Sequence, residues 1–172
     1  IYFFVGNHDL WMKDYLEEEI GIPVFFEKQY YEISGKNFLL AHGDGLGPGD
    51  KGYKRMKKLF TNPIAQWFFK WLHPDIAMKI AVYFSTKNKM ISGVEDMKFL
   101  GEDKEFLILY SKEKLKSEKI DYFVYGHRHL PMILDLKIDE NAANYVNLGD
   151  WISYFTYGVF DGAEFKIEEY KQ

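Results

Sequence analysis

The stretch Tyr125-Gly126-His127-Arg128-His129 carries the strongest structural signal in the chain, because two histidines follow directly on an apolar run. That run, residues 120–124, has the composition of a buried β-strand. Gly126 allows the backbone to turn where the strand ends. Residues i and i+2 of an extended segment point to the same side, so His127 and His129 are expected to present their imidazoles together. Neutral imidazole is a common metal ligand; the alternative is two satisfied or surface histidines.

Two further stretches repeat this arrangement of an apolar run followed by polar residues. Val5-Gly6-Asn7-His8-Asp9 follows residues 1–4, and Ala41-His42-Gly43-Asp44 follows residues 37–40. Loops at strand ends on a rigid sheet are where catalytic and binding groups are usually placed. Four of the five histidines therefore fall in similar settings, whereas His73, in a helical region, is interpreted as structural.

Taken together, Gly6-Asn7-His8-Asp9, His42-Gly43 and Gly126-His127-Arg128-His129 resemble the later signature motifs of the calcineurin-like metallophosphoesterases, in the family's order. The resemblance implies an α/β fold, a four-layer α/β/β/α sandwich with its site at the strand ends. The DxH and GDxxD motifs that begin the family's pattern do not stand ahead of Gly6. We therefore expect the chain to be the C-terminal part of a longer protein, with the N-terminal part of the sandwich absent.

The same resemblance implies a role for each motif residue and two divalent metal ions, with Mn²⁺ as the first candidate and Fe or Zn as alternatives. His8 would stabilise the transition state or protonate the leaving oxygen, and Asp9 would orient it. Asp9 is also placed to cap a helix that starts at Leu10, and the two roles are compatible. The metal ligands implied are Asn7, His42 and His127 for one ion and His129 for the other.

A narrower resemblance covers nearly the whole chain. The motifs His42-Gly43-Asp44-Gly45-Leu46 and Asp50-Lys51-Gly52-Tyr53, a helical insertion, and Gly126-His127-Arg128-His129-Leu130-Pro131 resemble the UDP-2,3-diacylglucosamine diphosphatases of the lipid A pathway. Those enzymes release UMP and 2,3-diacylglucosamine 1-phosphate at the inner membrane surface. The resemblance thus implies a nucleotide-sugar lipid substrate and a cytoplasmic, peripheral membrane location. The substrate-facing positions that it implies are Asp50, Tyr53, Ser85, Lys87 and Lys89.

One departure from the narrower pattern keeps two other functions open. His8 stands where the best-known members of that family carry Arg. The first alternative is another calcineurin-like phosphoesterase that acts on a soluble nucleotide or phosphodiester, since GNHD is common in the broader family. The second is a non-catalytic metal-binding scaffold.

The insertion at about residues 53–90 differs in composition from the rest of the chain. Aromatic and aliphatic residues recur in it at helical spacing between lysines, and Pro63 and Pro74 divide it into two or three short helices. It either packs on the core or forms a lid with an apolar groove that meets lipid. The polar run Ser85-Thr86-Lys87-Asn88-Lys89 is expected to be a loop, either phosphate-binding or merely solvated.

The remaining segments predict a layered α/β domain. A helix is expected over residues 10–20 and another over 102–119, and the glycine-rich residues 43–52 are expected to form a loop. Paired strands are expected at residues 30–41 and, around an Asp-Gly turn, at residues 156–169.

Composition limits the class of protein. The chain has 172 residues, enough for one domain, and 47% of them are hydrophobic. A net charge of −4 argues against a general nucleic-acid binder. The absence of cysteine excludes disulfides and thiolate metal sites, so oxygen and nitrogen ligands are left.

Overall fold

A computed structural model describes residues 1–12, 14–49, 51–92 and 98–171, without the side chains of 84–85 and 87–92. The described residues form a mixed α/β fold around a five-stranded sheet. The strands are β1 (Phe3–Phe4), β2 (Val24–Phe25), β3 (Gln29–Ile33), β4 (Lys36–Leu40), β5 (Tyr122–Tyr125), β6 (Met132–Ile138), β7 (Asn141–Asn147), β8 (Thr156–Phe160) and β9 (Phe165–Glu169). The helices are α1 (Tyr15–Glu18), α2 (Lys51–Phe60), α3 (Pro63–Lys70), α4 (Pro74–Ser92) and α5 (Phe106–Leu115).

The central sheet has the strand order β3-β4-β5-β7-β6. β4, β5 and β7 run parallel, with Leu40 opposite Val124 and Tyr125 opposite Asn147. The outer strands β3 and β6 are antiparallel to their neighbours. β5 lies in the middle and all four of its residues are buried, which explains its unbroken apolar sequence. The parallel strands β4, β5 and β7 therefore end at one edge of the sheet.

Each face of the sheet is covered by a different layer. On one face, Leu107, Ile108 and Leu115 of α5 pack against buried strand residues such as Phe123. On the other face, the β8–β9 hairpin covers Phe38 and Tyr122, and Phe160 lies 4.9 Å from the ring of Phe38. These two apolar layers hold the strands, and hence the loops at their ends, in a fixed arrangement.

Both expected hairpins are confirmed. β3 and β4 pair around Ser34-Gly35, where both residues have positive φ, as a two-residue hairpin turn of this type requires. β8 and β9 pair antiparallel around the four residues 161–164, which include the expected Asp161-Gly162 turn, and there only Gly162 has positive φ. There the Asp161 side chain accepts hydrogen bonds from the backbone N–H groups of Ala163 and Glu164.

Two expectations about helices are wrong. The helix expected from Leu10 begins only at Tyr15 and is four residues long. The carboxylate of Asp9 instead bends back to accept the Gly6 N–H, at 3.3 Å, so it closes the preceding loop. The loop expected at residues 85–89 is part of helix α4, because no glycine or proline interrupts the helix there.

The insertion forms three helices, α2, α3 and α4, and prolines begin two of them, as expected. Asn62 caps α3 by accepting the N–H groups of Ile64 and Ala65. Trp11 ties these helices to the N-terminal loop, since its indole N–H donates to Phe60 O and its ring packs edge-on against Phe69.

Candidate active site

The sheet brings His42 and His127 together. His42 follows the end of β4 and His127 follows the end of the neighbouring strand β5. The backbone N–H groups of Gly126 and His127 both donate to the carbonyl oxygen of His42, at 3.0 and 2.9 Å. The two imidazole rings lie 5.3 Å apart between centroids. The pairing of β4 with β5 therefore fixes the distance between the rings.

The GNHD loop lies directly against His42. A Cβ atom at Gly6 would lie 2.7 Å from His42 Nε2, so a residue larger than glycine would clash with the imidazole in this position. Asn7, the next residue, is half-buried, and His8 is exposed to solvent. The backbone of the GNHD loop therefore packs against the imidazole of His42.

Asp44 determines which nitrogen of His42 is available. Its carboxylate lies 2.8 Å from His42 Nδ1. Burial acts to raise the pKa of Asp44, but hydrogen bonds from His42, Lys57 and Tyr53 outweigh it and hold the pKa well below its ordinary value. An ionised carboxylate only accepts hydrogen bonds, so Nδ1 carries the proton and the lone pair of the neutral ring lies on Nε2. This is the arrangement that orients a metal-binding histidine.

His127 is a neutral imidazole in the folded protein. Burial, followed by the nearby His42, lowers its pKa to about 4, although Asp44 acts in the opposite direction. A neutral ring has a lone pair to offer, and at neutral pH no proton has to leave before a ligand bond forms.

His129 has a carboxylate partner of its own. Asp150 Oδ2 lies 3.4 Å from His129 Nδ1, and about half of the His129 side chain is exposed. The other oxygen of Asp150 accepts backbone N–H groups from the turn at residues 152–154. Burial raises the pKa of Asp150, but these three hydrogen bonds lower it further than burial raises it.

The loop that carries His127 and His129 is held from two sides. Arg128 donates to Glu105 Oε1, at 3.0 Å, and to the carbonyl of Lys98. The carbonyl of Arg128 accepts a hydrogen bond from the side chain of Asn147, which is fully buried at the end of β7. The arginine in the GHRH stretch therefore anchors the loop.

The donor set fits a divalent metal in part. Within the part of the chain that the structure describes, no three His, Cys, Asp or Glu side chains form a group that could hold a metal ion. Two adjacent nitrogen donors are present: His42, whose Nδ1 is hydrogen-bonded to Asp44, and the neutral His127. Asn7 follows Gly6, the glycine that lies against His42. The structure does not join His129 to them as a third donor.

The expected substrate positions fall in different places. Tyr53, on α2, donates its hydroxyl to Asp44 at 2.5 Å and so contacts the site from behind His42. Ser85, Lys87 and Lys89 lie on α4, with their side chains outside the described residues, and Asp50 lies outside them altogether.

Four residues around the site were given no role by the sequence analysis: Asp44, which stands in a quoted motif, and Asp150, Asn147 and Glu105. Asn147 ends β7 and Asp150 follows three residues later; β7 is parallel to β5 and ends at the same edge of the sheet. The signal that identified the histidines, a polar group at the end of an apolar strand, would have found both. Glu105 has no such signal, because its partner Arg128 is 23 residues away in the sequence.

Comparison with known proteins gives the family. No family model matches the chain. The UDP-2,3-diacylglucosamine hydrolase of Porphyromonas gingivalis (strain ATCC BAA-308 / W83) is 36% identical over 182 residues, which cover 98% of this chain and 68% of the relative. The hydrolases of that name from Yersinia pestis bv. Antiqua (strain Angola) and Yersinia pseudotuberculosis serotype O:3 (strain YPIII) are 26% identical over 87% of this chain.

The chain belongs to the UDP-2,3-diacylglucosamine hydrolase family, which confirms the narrower of the two resemblances. It spans 68% of the length of the Porphyromonas relative and 61% of the length of the two Yersinia relatives.

Proposed function

We propose that the protein hydrolyses the diphosphate bond of UDP-2,3-diacylglucosamine, as a step of lipid A biosynthesis. The observation that carries the proposal is the meeting of His42, His127 and the GNHD loop at one sheet edge, in a chain 36% identical to a hydrolase of that name. Water adds to one phosphorus and the bridging P–O bond breaks. The products are UMP and 2,3-diacylglucosamine 1-phosphate.

The residues of the site divide the work of this reaction. His8, exposed at the loop tip, is positioned to meet the diphosphate and to protonate the leaving oxygen. Asp9 keeps the loop closed through its hydrogen bond to the Gly6 N–H. Asp50, Ser85, Lys87 and Lys89 are proposed as substrate contacts.

We propose that His42, His127, Asn7 and His129 bind divalent metal, with Mn²⁺ as the first candidate and two ions as the expected number. When bound, the metal supplies positive charge that stabilises the phosphoryl oxygens and raises the acidity of water. The support in this chain is the Nε2 lone pair of His42 and the neutral state of His127.

Helices α2–α4 are proposed as a lid that binds the acyl chains at the membrane surface. Ile64, Trp67 and Phe68 of α3 are more than half exposed, and with Pro63 they line a groove of about 410 Å³. This groove is shallow and open to solvent. None of the helices that the structure describes is long and apolar enough to cross a membrane.

We further propose that the protein has the α/β/β/α sandwich fold of the calcineurin-like metallophosphoesterases. Three layers support this: α5, the central sheet and the β8–β9 hairpin follow one another in the described residues. β1 and β2, paired with each other in parallel, are proposed as part of the second sheet of this sandwich.

The test is UMP release from UDP-2,3-diacylglucosamine by the full-length protein with Mn²⁺, measured beside hydrolysis of bis(p-nitrophenyl) phosphate. We expect UMP release, and its loss in His127→Ala. His73→Asn is the matched control, because His73 is an exposed histidine whose Nδ1 accepts the N–H of Asp75, and asparagine also caps a helix.

The two substrates separate the remaining functions. Cleavage of the diester alone would discard the lipid substrate and favour a phosphoesterase for soluble nucleotides or phosphodiesters. Binding of Mn²⁺ without turnover of either substrate would favour a metal-binding scaffold.

A further inference from the structure

Asp44 is buried beside the candidate metal ligand His42, and its carboxylate has three side-chain hydrogen-bond partners. Its side chain has only about 4% of its surface exposed. One oxygen, Oδ1, bonds His42 Nδ1 at 2.8 Å. The other, Oδ2, accepts from the Tyr53 hydroxyl at 2.5 Å and from Lys57 Nζ at 2.8 Å. The two oxygens thus face different parts of the molecule.

Both partners of Oδ2 belong to helix α2. Tyr53 and Lys57 are four residues apart, so they lie on one face of the helix, and this face is turned toward Asp44. Lys57 also supplies the positive charge that a buried carboxylate needs. Asp44 therefore joins the imidazole of His42 to a helix of the insertion.

We infer that Asp44 is a positioning residue that couples helix α2 to His42, and that Tyr53 and Lys57 hold its carboxylate in the orientation that presents Nε2 of His42 to metal. The role of His42 as a ligand rests on the proposed function, whereas its tautomer and orientation do not. Tyr53 acts in this arrangement through Asp44.

Helix α2, which is hydrogen-bonded to Asp44, is connected directly to α3, the helix that lines the apolar groove. α2 ends at Phe60, whose carbonyl accepts the Trp11 indole and the Gln66 side chain, and α3 starts two residues later with its Asn62 cap. α3 carries the groove. A shift of α3 that moves α2 will consequently change the hydrogen bonds that orient His42.

A purely structural Asp44 would stabilise the fold without affecting the ring of His42. The distinction is made by ¹⁵N NMR of the histidine rings in the metal-free, full-length protein and by titration with Mn²⁺ alone, followed by electron paramagnetic resonance. The variants are Asp44→Asn, Tyr53→Phe and Lys57→Met. Lys54→Met is the matched control, since Lys54 lies on the same helix but donates to the Gly47 carbonyl.

We expect His42 to carry its proton on Nδ1 in the natural protein and in Lys54→Met. In Asp44→Asn we expect a mixture of the two His42 tautomers. In Asp44→Asn, Tyr53→Phe and Lys57→Met we expect the Mn²⁺ affinity to fall by roughly 10–100-fold, which is the usual effect of removing a hydrogen-bond partner of a metal-binding histidine. An unchanged tautomer in Asp44→Asn, or unchanged Mn²⁺ affinity in the folded Tyr53→Phe and Lys57→Met proteins, would overturn the inference.

Tyr53→Phe removes one hydroxyl oxygen and keeps the ring, so the test survives if Asp44→Asn does not fold. Because the NMR measurement needs neither substrate nor turnover, failure of the proposed function would show as absent UMP release with the expected tautomer. Failure of the inference would show as UMP release with an unaffected His42 ring.

Discussion

The carboxylate of Asp150 links the His129 ring, 3.4 Å from Oδ2, to the turn at residues 152–154, whose N–H groups bind Oδ1. One oxygen therefore contacts His129 and the other binds the turn, so a substitution can remove one interaction and keep the other. Asp44 divides its oxygens in the same way, between His42 and helix α2. Two of the candidate ligand histidines thus have a carboxylate partner on their Nδ1 atoms.

Asp150→Asn tests this division of tasks. Asparagine keeps an oxygen that accepts the N–H groups of the turn at residues 152–154, but its NH2 group faces His129. An NH2 group cannot accept a hydrogen bond from the ring of His129. We expect UMP release to fall by roughly 10–100-fold while the thermal midpoint changes little. Asp150→Ala removes both tasks, so the thermal midpoint falls as well. Equal loss of stability in the two variants would contradict the division.

The Glu105–Arg128 pair is predicted to be a major source of stability for the loop of His127 and His129. Both side chains are largely buried, with 5% and 12% of their surface exposed, and the charged atoms are 3.0 Å apart. Removing one partner of a buried ion pair leaves the other charge buried and unpaired. We therefore expect Glu105→Ala to lower the free energy of unfolding by about 3–5 kcal/mol.

Glu113→Ala is the control for this measurement. Glu113 pairs with Lys116 at 2.7 Å, but both side chains are more than half exposed. Exposed pairs contribute roughly 0–1 kcal/mol, so urea unfolding should hardly change. A similar loss in both variants would show that burial of the Glu105–Arg128 pair is not the reason for its effect.

The lowered pKa of His127 predicts a pH dependence of stability in the metal-free protein. The unfolded chain takes up this proton near pH 6.5, whereas the folded protein takes it up only near pH 4. The contribution of neutral His127 to the free energy of unfolding is therefore fully present above pH 6.5. It is lost as the pH falls from 6.5 to 4, by roughly 3 kcal/mol in total.

Urea unfolding in EDTA at several pH values between 7 and 4.5 checks this prediction. In that window the carboxyl group of Asp44, whose pKa lies well below 3.8, stays ionised. His127→Gln has no proton to bind at this position, so its stability should fall less steeply with pH. The same slope in both proteins would mean that His127 is not the group responsible.

The strand ends were predictable from the sequence, but the contacts that orient their side chains were not. A short apolar run located β5, because burial on both faces leaves a continuous apolar pattern, whereas the turn residues between short strand-like runs located the hairpins. The prediction of a helix directly after Asp9 was wrong, because the Asp9 carboxylate accepts the Gly6 N–H and caps no helix. The partners of Arg128 and His129 are distant in sequence, and only the fold brings them together.

The last prediction concerns the apolar face of α3. Trp67, with 53% of its surface exposed, lines the groove together with Ile64 and Phe68. If this groove binds acyl chains, Trp67→Ser removes apolar contact area from the diacylated substrate alone. We expect the KM for UDP-2,3-diacylglucosamine to rise by roughly tenfold or more, because burying a large apolar side chain contributes about 1.5–3 kcal/mol.

Hydrolysis of bis(p-nitrophenyl) phosphate, which has no acyl chain, should be unchanged in Trp67→Ser. Tyr170→Ser is the matched control, because Tyr170 is an aromatic residue of equal exposure that packs on Trp151 and lies outside helices α2–α4. Equal loss with both substrates would mean that Trp67 stabilises the fold and does not contact the lipid. A change restricted to the diacylated substrate assigns the apolar face of α3 to the acyl chains.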